Sequence, residues 1–155
     1  MNNSKTNHLA VIVSAVAYFM LGGLWFGLVF ANAWMQAVGK TMEELQRTTM
    51  PEGVLYTLAF IFALVLSYTL NWLLNRSGKQ GANEGVKLAI GLWIGIVATT
   101  IGPIFMFSGS SLRLFILDAG YPLVAMVVSG AIIGGWRKKP ASAPQPVAKT
   151  SAAGA

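Results

Sequence analysis

Apolar residues run along this chain in four long blocks, at 9–31, 54–74, 88–107 and 114–136, rather than at helical or alternating intervals. Crossing the hydrocarbon of a bilayer takes about 20 mostly apolar residues, and each block reaches that length. Backbone groups in lipid must find their hydrogen bonds within the protein, so the blocks read as helices. The pattern predicts an all-α membrane protein with four transmembrane helices at those bounds. The first three blocks carry no formal charge, and the fourth carries one, Asp118. Ala31-Asn32-Ala33 at the end of the first block resembles a signal-peptidase site. The apolar run before it is longer than the roughly 7–15 residues of a signal-peptide core, so the block is expected to stay as a span.

The polar segments between the blocks add two elements. Thr41 followed by Glu44 has the spacing of a capping box, and Pro51 ends the run, which predicts a short surface helix between the first two spans. The segment 140–155 is alanine, proline and serine with too little apolar surface for a core. It is expected to be a disordered tail, with residues 1–139 forming the transmembrane domain.

Small residues four apart let membrane helices approach closely. They occur at Gly23 and Gly27, Gly91 and Gly95, Gly130 and Gly134, and as Ala59, Ala63 and Ser67 leading to Asn71. A tightly packed bundle is expected, with hydrogen bonds between helices from Ser14, Tyr18 and Asn71. Two of these pairs lie in near-identical stretches, "GLWFG" at 23–27 and "GLWIG" at 91–95. Counted from the block starts at Leu9 and Leu88, the copies fall at different depths, which argues against an internal repeat.

Composition agrees with the blocks and then orients them. The 155 residues are 55% hydrophobic and only 10% charged, with a mean hydropathy of +0.61, whereas soluble domains are about a quarter charged. With four spans, one side holds eight cations (Lys5, Arg76, Lys79, Lys87, Arg137, Lys138, Lys139 and Lys149) and the other three (Lys40, Arg47 and Arg113). That asymmetry predicts that both termini are cytoplasmic. Trp72 and Trp136 fall at the inner ends of their spans, Trp34 and Tyr56 at the outer. The net charge of +6 flanks apolar blocks, which excludes a nucleic-acid partner and leaves the lipid bilayer, further copies of the chain or another membrane protein as partners. With no cysteine and the single histidine His8, no metal site or cofactor is expected.

Candidate chemistry gathers in "RLFILDAGYPLV" at 113–124. A carboxylate inside a span is costly and marks a functional site unless a partner neutralises it. Arg113 is five residues away, about 140° around an ideal helix and roughly 7–8 Å along it, so the two make a poor pair on one helix. Tyr121 shares the face of Asp118 and can donate a hydrogen bond. Pro122 deprives the Asp118 carbonyl of its donor, and Pro103 does the same to Thr99, beside Thr100. Both breaks fall in the outer half, where a polar notch of Asp118, Tyr121, Arg113, Thr99 and Thr100 is expected. No set of nucleophile, histidine and acid, no phosphate loop and no zinc motif occurs, so an enzyme is not expected.

The first-span stretch "NHLAVIVSAVAYFMLGGLWFG" with "AW" at 33–34, and "RLFILDAGYPLV" followed by "GAIIGGW" in the last span, resemble the bacterial integral-membrane family called domain of unknown function 1761. The resemblance covers about residues 7–136. It implies a four-helix membrane protein and no particular activity. It also implies that an amide commonly stands where Asp118 is, which weighs against a proton relay. Two expectations follow: a polar notch that binds or passes a small solute or ion, or an accessory subunit that docks a larger membrane complex through its small-residue seams.

Overall fold

The computed structural model describes residues 6–48, 50–79 and 81–136. These fold into six helices: α1 (His8–Val29), α2 (Ala31–Val38), α3 (Met42–Thr48), α4 (Glu52–Arg76), α5 (Ala82–Ser108) and α6 (Leu112–Gly135). There is no strand among the described residues. Helices α1, α4, α5 and α6 are each long and apolar enough to cross a membrane. The segments 1–5 and 137–155, which include the expected tail, lie outside the described residues.

The boundaries move from the apolar blocks for local reasons. The first span stops at Val29, because Phe30 leaves helical geometry (φ −115°, ψ 13°) before α2 begins. The third span starts at Ala82, six residues before its apolar block. Glu84 near its start pairs with Lys87 at 2.8 Å and Lys79 at 3.5 Å, so the charges sit together at the helix end. Gly81 precedes that helix at φ 110°, a conformation open to glycine. The capping box forms: the Glu44 carboxylate accepts from the Thr41 backbone N–H at 2.7 Å, and Thr41 Oγ1 accepts from the Glu44 N–H at 3.2 Å.

Helix α6 is the hub. Its most apolar window is 44% buried, against 6–22% for the other spans, and it packs on α1, α4 and α5. The α5–α6 contact is backbone on backbone. A Cβ added at Gly85 would overlap the Gly130 carbonyl oxygen, and one at Gly134 would overlap that of Gly81. Gly130 and Gly134 therefore meet Gly81 and Gly85 rather than the Gly91 and Gly95 pair. Gly23, Gly27, Gly91 and Gly95 have open space where a Cβ would go.

Beside this seam Leu70, Leu74, Ala89, Met126 and Ile133 form the core. Ser14 and Ser67 hydrogen-bond at 3.0 Å where α1 meets α4, both fully buried. Without water to solvate them, each hydroxyl satisfies the other. Asn7 caps α1 by accepting from the Ala10 N–H, and its amide donates to the Trp136 carbonyl at 3.1 Å. The start of the first span and the end of the last thus lie at one face of the bundle.

Candidate functional site

Three tryptophans from three helices converge on three consecutive residues of α6. Trp25 Nε1 on α1 donates to the Leu117 carbonyl at 3.1 Å. Trp34 Nε1 on α2 donates to Asp118 Oδ1 at 3.0 Å. Trp93 Nε1 on α5 donates to the Ala119 carbonyl at 2.9 Å. Pro122, one turn further along α6, has no N–H for the Asp118 carbonyl, which lies between the two carbonyls that accept from Trp25 and Trp93. Indole supplies a donor on a large apolar ring, which suits a membrane interior. Gly120 leaves room for one ring: a Cβ there would touch the Trp25 ring at 3.4 Å.

The two "GLW" stretches thereby do matching work. Each tryptophan opens a π-helical turn, Trp25–Val29 in α1 and Trp93–Ala98 in α5. In the first, the Phe30 N–H reaches back five residues to the Trp25 carbonyl at 2.9 Å. An extra residue in a turn rotates everything after it by about 100°. The two indoles end on carbonyls two residues apart, about 3 Å along α6. Counted from the helix starts at His8 and Ala82, the two stretches still begin at different depths, but the difference is smaller than the block starts implied because α5 begins before Leu88.

Tyr121 shares the notch but not the expected bond. Its hydroxyl donates to the Tyr18 carbonyl of α1 at 3.1 Å, not to Asp118. The ring lies edge-on to Tyr18 and Phe26, both with centroids at 5.3 Å. Gly22 accommodates it, since a Cβ there would lie 3.0 Å from the Tyr121 oxygen. Phe26 in turn packs against Trp34 at 5.6 Å. Asp118 thus sits partly buried beside an aromatic wall of Trp34, Phe26 and Tyr121.

The remaining expected members stand apart from it. Arg113 Nη1 donates to Gln36 Oε1 at 3.2 Å, and no ion pair to Asp118 occurs among the described residues. Thr99 is exposed, with its hydroxyl turned back to the Gly95 carbonyl at 2.8 Å, and Thr100 is also exposed. The end of α5 and the start of α6 meet instead through Phe105 and Phe115, edge to face at 5.6 Å. No cluster of three or more metal-ligating side chains occurs among the described residues. The partners that sequence reasoning missed are Trp25, Trp34 and Trp93. The signal for two of them was the paired "GLW", read there for its glycines.

Fold and site together define a four-span α-helical membrane protein with one carboxylate held inside the bundle's last helix. The family model described as "Protein of unknown function (DUF1761)" matches residues 9–134, and the chain belongs to that family. No curated protein and no solved structure matches it.

Proposed function

We propose that the chain is a non-catalytic inner-membrane protein with cytoplasmic termini, whose Asp118 notch binds or passes a small cationic solute or ion. One observation carries this reading. Within a transmembrane helix, the Asp118 carboxylate receives a single hydrogen bond, from the neutral indole of Trp34, and no cation pairs with it among the described residues. A negative charge in that setting is costly until a proton or a cation joins it. Phe26 packs edge to face with Trp34 and Tyr121, and aromatic surroundings favour a desolvated cation wherever a ring face is open to it.

Flux into liposomes tests the reading, with sodium, potassium and methylammonium offered in turn. Asp118→Asn removes the charge yet keeps an oxygen to accept from Trp34, so the bundle should survive. Saturable flux of one of these cations by the parent chain, reduced at least about tenfold in the variant, is expected for a charge-dependent site. Equal flux in the two proteins would sink the reading.

A second reading, an accessory subunit docking a larger complex or a second copy, is favoured by the exposed stretch of α5 from Gly91 to Phe107. Gly91 and Gly95 have nothing within 4 Å, and Ile94, Ile96 and Phe107 are 56%, 59% and 93% exposed. On that reading Gly95→Leu abolishes co-purification of the partner while Asp118→Asn is silent.

A further inference from the structure

A cleft of about 630 Å³ opens between α2, α3 and the start of α4. That volume is in the range of small-molecule sites. Its walls are mainly apolar, including Trp34, Leu45, Leu55 and Tyr56, with Gln46 and Glu52 as polar groups. Glu52 lies in the first turn of α4, and no ion pair to it occurs among the described residues. The capping box at Thr41 and Glu44 starts α3, the helix that carries Leu45 and Gln46 of the cleft wall. One carboxylate, with one amide, in a mainly aromatic and aliphatic cleft is complementary to a particular shape of ligand: a positive charge on a hydrophobic body.

We infer that this cleft is a binding site for an amphiphilic organic cation, with Glu52 facing the charge and Trp34 and Tyr56 packing on its apolar body. The site is separate from the Asp118 notch. Trp34 alone is common to both, presenting its ring to the cleft while its N–H is engaged by Asp118. An aromatic ring already fixed by a hydrogen bond loses little freedom when a ligand stacks on it. Tyr56 is fixed less firmly, by an edge contact with Phe19 at 6.3 Å.

The test is equilibrium dialysis of radiolabelled tetraphenylphosphonium against the full chain in lipid nanodiscs, with empty nanodiscs subtracted. Tetraphenylborate, of the same shape and opposite charge, is the competitor. Saturable binding is expected, with affinity falling about fivefold in Glu52→Gln, the upper end for a solvent-accessible ion pair. Tyr56→Ser should weaken it further, while Asp118→Asn should leave it within about twofold, because the amide oxygen still accepts from Trp34 and the ring keeps its place. Tetraphenylborate should not compete. Loss of binding in Asp118→Asn with Glu52→Gln unaffected would overturn the cleft site and place the cation in the notch. Equal competition by tetraphenylborate would also overturn it, because apolar burial alone, such as a lipid chain provides, would then account for the occupancy. Binding no greater than to empty nanodiscs would do the same.

Discussion

The sharpest demands on individual residues fall on two glycines facing each other across α5 and α6. A methyl group at Gly85 has no room against the Gly130 carbonyl, and one at Gly130 meets the Gly85 carbonyl in return. Gly85→Ala should lower stability by about 1–3 kcal/mol, the usual cost of forcing atoms into a packed contact. Gly27→Ala, with open space around it, should stay within about 0.5 kcal/mol. Reversible unfolding in mixed micelles separates the two, and equal effects would contradict the backbone contact. Trp25→Phe keeps most of the ring and removes only the N–H given to the Leu117 carbonyl. It should cost about 0.5–1.5 kcal/mol, the net worth of one hydrogen bond, in the same assay. At Asp118, the notch chemistry and the Trp34 bond are separable, because an amide oxygen accepts from the indole as well as a carboxylate does.

Among the elements, α3 is the one whose order rests on local interactions. Its N-terminal cap is the reciprocal pair of Thr41 and Glu44, with an exposed Glu43–Arg47 pair one turn on. The backbone N–H of Thr41 holds the Glu44 carboxyl below its usual value of 4.5, helped by the Thr41 hydroxyl. A carboxyl held low in the folded state stabilises it fully above the unfolded value and loses that contribution as pH falls through the lowered one. Helix α3 should therefore be ordered at neutral pH and loosen in acid below about 4.5. Amide exchange at residues 44–47 should accelerate there while the buried seam at 85 and 130 stays protected. Thr41→Ala should produce the same local loosening at neutral pH. Uniform exchange across both regions would show that α3 is not an independent element.

At the scale of the whole molecule, the bond from Asn7 to the Trp136 carbonyl brings both ends of the bundle to one face. On the orientation proposed from the cation asymmetry that face is cytoplasmic. The chain has no cysteine, so single cysteines report topology without background. Lys40→Cys should react with a membrane-impermeant maleimide added to intact cells. Lys79→Cys, at the opposite end of α4 and close to Glu84, should react only after permeabilisation. The reverse pattern would invert the orientation.

The sequence by itself determined the four spans, because bilayer thickness converts the length of an apolar run directly into a crossing. It also determined the surface helix, whose capping box is a contact between residues three apart. In the candidate site, Asp118 and the break at Pro122 were legible, since a charge in an apolar run and a missing N–H are properties of single positions. The partners were not. Only the tertiary structure decided that Gly130 and Gly134 meet Gly81 and Gly85, because the start of α5 lies in a polar stretch that hydropathy assigns to a connector. Only it decided that Trp25, Trp34 and Trp93 converge on residues 117–119. Two of those rings sit at π-helical turns, which rotate the helix face away from the one that ideal periodicity would assign. Where a side chain lands across a helix pair depends on that rotation and on the crossing of the axes, and neither is written at any one position.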